Sequence, residues 1–414
     1  MNEFEKYKEF KDKCDFVYEG IHVNKAIAIS IWHVANQRNK SYYNIRYFIN
    51  FVRKLTVPQM KFKKDQTILS TYGRYNRPDY KELYRMVIGK LDNTVASFDT
   101  LEWKYSFYIN FQIIFAVLKF FLFKKLGNIS LMDRLGLISE TVYFCYFIKD
   151  LKKNDYSQIK KYLSQCDHYN IENVMTQFFK LQGINTLSLI EGVCCVYKKN
   201  IPLDCIHYEN FETDKLLVWG QYTYDEYVNW GIPKNNIVVA GYPKSYKIIG
   251  MKQSNTYKKC MVLLARDAYR SSNVSLLDIL KESNTDTEYC LKLHPGSDFK
   301  FYTDYAQKNG MVIIPKEVTV QSCLNNEKFD FAIAVNTSAY FDALIQGVPC
   351  LRFKDNSFEI TEDYDDFFHD KIEYEKVLNQ LKSIELNQYQ KDVYTILKHH
   401  MGMGIDNYRE EILS

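Results

Sequence analysis

One stretch of the chain, Phe329 to Phe353 (FDFAIAVNTSAYFDALIQGVPCLRF), leaves few folds open. Phe331 to Val335 is an unbroken apolar run of strand length, which reads as a strand covered on both faces. Asn336, Thr337 and Ser338 follow, all three residue types that accept from the unpaired N–H groups at a helix start. Ala339 to Gln346 continues with a helical pattern, Gly347 and Pro349 end it, and Cys350 to Phe353 reads as the next strand. Buried strand, polar turn, helix and buried strand in that order form the repeating unit of a parallel, doubly wound α/β sheet.

The same alternation extends in both directions. The second half supplies strands at Leu216–Trp219, Ile237–Ala240, Cys260–Ala265, Tyr289–Leu293 and Met311–Ile314. The first half supplies Gln66–Ser70, Asn93–Ser97 and Asn185–Ile190, with helical patterns at Tyr80–Leu91, Leu101–Leu126 and Ile171–Leu181. A chain of 414 residues, 46% hydrophobic, is long enough for two cores. The polar, basic stretch GYPKSYKIIGMKQSNTYKK between two strands marks the boundary. We therefore expect an α/β protein of two Rossmann-like domains facing each other across a cleft. Residues 1–241 form the first, with added helices before Pro58, and 242–259 the linker. Residues 260–385 form the second, and 386–414 are C-terminal helices packing back on the first.

Composition excludes several function classes. The ten cysteines are scattered without a CxxC pair or a Cys/His cluster, so the sequence predicts free thiols and no metal site. A net charge of +4 gives no case for nucleic acid as a partner. From Gly20 to Lys64 there are nine Lys or Arg and no acid, interleaved with aromatic residues. This basic aromatic segment suits peripheral contact with an anionic membrane. Tyr105–Phe123 is strongly apolar but interrupted by Asn110, Gln112 and Lys119, so it reads as a buried or interfacial helix rather than a span. Residues 1–13 are charged from the third residue, and the expectation is a cytoplasmic protein, associated with the inner face of the membrane. The glycine loops of dehydrogenases and P-loop NTPases are absent from the sequence.

Candidate site residues fall at strand ends, where open α/β sheets bind ligands. The Asn336–Thr337–Ser338 turn suits a phosphate or diphosphate. His294, Pro295 and Gly296 form a loop after the strand Tyr289–Leu293, and an imidazole there can donate to a phosphate oxygen, more strongly when protonated. Arg266, after Cys260–Ala265, offers a charge-assisted contact. In the first half Glu191, before Gly192, ends a strand and is placed to act as a general base toward an attacking hydroxyl, with Asp167 and His168 as second candidates. Asp363 and Asp365 have D-x-D spacing but lie in an acidic loop read as solvated charge.

Three stretches, Leu216–Ser245, Leu291–Asp298 and Val335–Leu351, resemble bacterial glycosyltransferases of the GT-B architecture, in the group that builds capsules, teichoic acids and sialylated glycans. Within it, bacterial sialyltransferases have an acid before Gly, then His-Pro, then a Ser/Thr-rich turn; here these positions are Glu191-Gly192, His294-Pro295 and Thr337-Ser338. Ile190 stands where that group has a second acid. The resemblance implies a nucleotide-sugar donor in the C-terminal domain and a glycan or lipid-linked acceptor on the N-terminal side. It gives Glu191 the role of base and His294 that of support for the departing phosphate, with no metal cofactor. An inverting transferase extending a cell-surface glycan is the leading reading. A cytidine-activated donor, a nucleotide-sugar epimerase and a non-catalytic partner subunit stay open as alternatives.

Overall fold

The structure is a computed structural model. It describes residues 2–36, 41–73, 78–190, 192–193, 201, 203–244, 249–250, 257–283, 285–355, 364–402 and 406–414. The chain divides into two compact units, the first Met1–Glu191, Ile201–Lys244 and Gly404–Ser414, the second Gly192–Asn200 and Ser245–Met403.

The first unit is built on six strands: β1 (Ile68–Tyr72), β2 (Val95–Asp99), β3 (Lys161–Ser164), β4 (Asn185–Leu189), β5 (Lys215–Val218) and β6 (Ile237–Val239). They lie in the order β6-β5-β4-β3-β1-β2, every pair parallel. All five residues of β1 are buried, as a parallel strand covered by helices on both faces requires. β3, with the sequence KYLS, carries no apolar run and was not legible as a strand, yet it pairs with both β1 and β4.

The helices Glu3–Lys13 and Ala28–Ala35 lie outside the sheet and share one core with the helices Leu131–Leu151 and Asn170–Leu181. Leu131–Leu151 is buried along most of its length, polar residues such as Asp133 and Asp150 included, so it lacks the amphipathic period by which a surface helix is read. A side chain at Gly136 would run into the Tyr43 ring, its Cβ 2.1 Å from Cγ; glycine is what lets that ring cross the helix. Lys54 and Asp150 form a buried ion pair at 2.7 Å, and Asp150 also accepts from the Val57 N–H at 2.8 Å. Burial alone would raise the Asp150 carboxyl, but the bonds from Lys153, Lys54 and Val57 hold it below its ordinary value.

The helical pattern read over Leu101–Leu126 breaks into three elements: a 3-10 turn at Thr100–Glu102, a strand at Tyr105–Phe107 and a helix at Phe111–Phe123. The strand pairs antiparallel with Arg53–Leu55, and Asn110 caps the helix by accepting from the Ile113 N–H.

The second unit holds β7 (Lys259–Leu263), β8 (Glu288–Lys292), β9 (Val312–Ile313), β10 (Phe331–Val335), β11 (Cys350–Phe353) and β12 (Phe367–Phe368). Their order is β9-β8-β7-β10-β11-β12, again all parallel. β12 is held by Arg352 of β11, whose guanidinium reaches both carboxylate oxygens of Asp366, which also accepts from the Tyr340 hydroxyl at 2.6 Å. This acid of the stretch read as solvated charge is thus a half-buried structural partner, whereas Asp365 is exposed; Asp363 lies outside the described residues. Residues 386–414 are split between the units. The helix Leu386–Met401 stays with the second, where Phe341 packs on His400, and the helix Asp406–Leu413 belongs to the first.

Candidate functional site

In the second unit the chain runs from β7 outward to β8 and β9, then crosses to β10 and continues to β11 and β12 on the other side. The point of reversal lies between β7 and β10, and in open α/β sheets the crevice beyond the carboxyl ends at such a point is where ligands bind. Strand register decides what stands there. Leu263 pairs with Ala334 on one side and with Lys292 on the other. Arg266 follows Leu263 by three residues, Asn336 follows Ala334 by two and His294 follows Lys292 by two. The sheet thus brings His294, Arg266 and Asn336–Ser338 to one edge, with Arg266 and Asn336 flanking the reversal.

Local packing fixes each of these loops. Asn273, fully buried, accepts from the Ala265 N–H at 3.0 Å and donates to the Ala265 carbonyl at 2.9 Å and to the Tyr302 hydroxyl at 2.9 Å. It clamps the residue before Arg266, a role no sequence pattern signalled. Arg266 opens a 3-10 turn, Asp267–Tyr269, and its guanidinium lies 5.5 Å from the centre of the Tyr269 ring.

His294 Nδ1 accepts from the Gly296 N–H at 3.1 Å, and its carbonyl accepts from the Ser297 N–H at 2.9 Å. Proline at 295 supplies the turn, and the amide bond to Nδ1 places the proton of the neutral ring on Nε2.

Asn336 adopts φ +37, the left-handed region that Asn tolerates better than most side chains. Ser338 occupies the cap position but makes no capping bond; Thr337 Oγ1 accepts from the Ala339 N–H at 3.3 Å instead. The helix that follows, Ala339–Ile345, is short, so the side chains of the turn and its strained backbone, more than a long helix axis, define this corner.

In the first unit the reversal lies between β1 and β3. The loop after β3, Gln165–His168, borders it, whereas Glu191 follows β4 and lies outside the described residues. Asp167 is buried, and one oxygen accepts from the Glu212 N–H at 3.0 Å and the Thr213 N–H at 2.6 Å. Burial pushes its carboxyl up to about 6 against the pull of those two amides. This carboxylate braces one loop against another. Glu172, also buried, accepts from the Gln165 N–H of the same loop at 2.9 Å.

Folding also brings together Cys166, His168 and His207, whose donor atoms all lie within 4.8 Å of one another. No local pattern signals this cluster, because His207 arrives from a separate segment, the short helix Ile206–Glu209. A thiolate and two imidazoles are a zinc-type donor set. Cys166 Sγ lies 2.8 and 2.9 Å from the two His168 ring nitrogens, so thiol and imidazole are packed directly together.

No family model matches the chain, and no curated protein matches it. Solved structures do. A lipopolysaccharide outer core galactosyltransferase, WaaB, in its apo form, superposes with a TM-score of 0.52 at 14% identity over 84% of this chain and 99% of its own. A UDP-GlcNAc 2-epimerase from Methanocaldococcus jannaschii, in complex with UDP-GlcNAc and UDP, gives 0.50 at 15% identity over 84% and 98%. The architecture is GT-B. Its two Rossmann-like domains are the two parallel six-stranded sheets, and the edge carrying His294, Arg266 and Asn336 belongs to the C-terminal GT-B domain.

Proposed function

We propose that this GT-B protein is a glycosyltransferase that takes a sugar from a nucleotide-sugar donor and passes it, with inversion and without a metal, to a growing cell-surface glycan or lipid-linked acceptor, in the cytoplasm at the inner face of the membrane. The observation that carries the reading is the reversal point of the second sheet. A guanidinium (Arg266) and a polar turn (Asn336–Ser338) flank it, and an imidazole (His294) stands one strand away. These are groups that bind a diphosphate without a metal. In this reading Arg266 and the turn hold the phosphates, with Pro295 and Gly296 shaping the loop that presents His294. His294 Nε2 donates to the oxygen that leaves with the nucleotide, and Glu191 takes the proton of the attacking hydroxyl.

A second reading, a nucleotide-sugar epimerase, is favoured by the likeness to the UDP-GlcNAc 2-epimerase. Incubation with the donor and no acceptor separates the two: interconversion at the sugar ring identifies an epimerase. A cytidine donor is decided by a nucleotide screen, and a silent partner subunit by its tolerance of Glu191→Ala and His294→Ala. Melting of the purified protein with UDP, GDP, CDP and CMP is expected to rise by about 5–10 °C with one nucleotide at 100 times its Kd, and less in Arg266→Ala. A flat response to all four would sink the donor site. Unchanged transfer by Glu191→Ala with normal donor binding would remove that residue from the mechanism.

A further inference from the structure

The two segments singled out in the sequence for basic and for apolar character, 20–64 and 105–123, meet in the fold. Arg53, Lys54 and Leu55 pair across the antiparallel ladder with Phe107, Ser106 and Tyr105, and the Arg53 guanidinium stacks 3.5 Å from the centre of the Tyr105 ring. Next to this ladder runs the helix Phe111–Phe123. Its Ile113, Val117 and Phe121, spaced four apart, are buried in the core. The rest of its surface is largely apolar as well, broken by Gln112 and Lys119. Phe107, Phe111, Phe115, Leu122 and Phe123 are 61–81% exposed, and Ile45 of the basic segment is 78% exposed. Large apolar side chains concentrated in this way mark a surface that meets something other than water.

Charge identifies the occupant. From Trp103 to Met132 the chain contains no acid, while Lys104, Lys119, Lys124 and Lys125 are exposed around the phenylalanines. A second copy of the chain would set these lysines against one another. A lipid surface with phosphate headgroups satisfies both the rings and the ammonium groups. The helix is too short to cross a bilayer, and among the described residues no helix is long and apolar enough to do so. A helix largely apolar around its circumference, with one face in the protein core and flanking lysines, is built to lie in the plane of the membrane interface.

We propose that the helix Phe111–Phe123, together with Phe107, docks the protein on an anionic lipid bilayer. The phenylalanines enter the headgroup–acyl boundary, and Lys104, Lys119, Lys124 and Lys125 reach up along their stems to lipid phosphate. This deepens the lipid-linked acceptor part of the proposed function by naming the surface that brings the enzyme to such an acceptor. It shifts the weight of the contact from the basic segment alone to the helix beside it. Lys54 and Lys25 of that segment are committed to Asp150 and Glu212 within the protein.

The test is flotation of the full-length protein with vesicles of phosphatidylcholine alone or mixed with phosphatidylglycerol. Binding is expected to the anionic vesicles and to weaken with salt. A Phe111→Ser/Phe115→Ser double variant and a Lys119→Glu/Lys124→Glu variant should each bind about tenfold more weakly with wild-type melting and nucleotide response. The lysine variant alters only exposed side chains, so it decides the matter even if the first fails to fold. Absence of binding by the wild type, binding retained in the lysine variant, or a wild-type dimer that the double variant dissociates without any vesicle binding would overturn the proposal. A wild-type protein that responds to nucleotide but does not bind anionic vesicles removes this proposal alone; one that binds the vesicles but responds to no nucleotide removes the donor site alone.

Discussion

Asp167 shows how a residue's surroundings decide between chemistry and structure. An acid at a strand end is a reasonable base on paper, but two backbone N–H groups converge on one of its oxygens and it is almost wholly buried. Its carboxyl stands raised, at about 6, because burial outweighs those bonds. A raised folded value means that the stabilising contribution is complete below the unfolded value, near 4, and is lost as pH climbs through about 6. Denaturant titrations from pH 4 to pH 7 should therefore show wild-type stability declining relative to Asp167→Asn, by on the order of 3 kcal/mol. Parallel curves for the two proteins would show that this carboxyl is not perturbed. His294 carries the complementary lesson. Its place after a strand was readable from His-Pro, but the bond from the Gly296 N–H, which sets which nitrogen carries the proton, depends on loop geometry.

Among the elements, the turn–helix unit from Asn336 to Gly347 was the most legible, since strand, cap residues and terminating glycine follow one another in the sequence. The structure adds the reason Gly347 must be glycine. Its φ is +72, and an added Cβ would lie 2.8 Å from the Gly250 carbonyl oxygen and 3.0 Å from that of Ile249, where the Ile249 N–H bonds the Ile345 carbonyl. Gly231 also has positive φ, +106, but nothing within 4 Å. Gly231→Ala is expected to cost about 1 kcal/mol from backbone strain alone, and Gly347→Ala about 2–4 kcal/mol because the backbone of 249–250 must also move. Equal losses of melting temperature would show that the close approach is unimportant. The elements that escaped sequence reading have a common cause. β3 is four residues of mixed polarity given its place by β1 and β4, and Leu131–Leu151 is buried along most of its length and so shows no helical period.

At the scale of the whole molecule, the chain ends by returning to its first unit. Tyr408 and Ile412 are fully buried there, the Tyr408 hydroxyl donates to the Gly241 carbonyl at 2.7 Å, and Lys161 of β3 donates to the Ile412 carbonyl at 2.8 Å. Tyr408→Ala is expected to destabilise the first unit by about 3–5 kcal/mol and Tyr408→Phe by about 1 kcal/mol; melting of the alanine variant at the wild-type temperature would show that the last helix contributes nothing. The sequence by itself determined the class of fold and most of the strands. Alternation of apolar runs with helical periods is a local property, and only a parallel α/β sheet accommodates it. Tertiary structure alone decided the rest. Strand order set which loops border each reversal, so that His294, Arg266 and Asn336 share an edge while Asp167 is turned to bracing. Long-range contact brought Asp366 to Arg352 and His207 to Cys166 and His168, and it left one face of Phe111–Phe123 exposed. These outcomes depend on residues tens to hundreds of positions apart, and no local pattern of polarity records which distant segment will arrive.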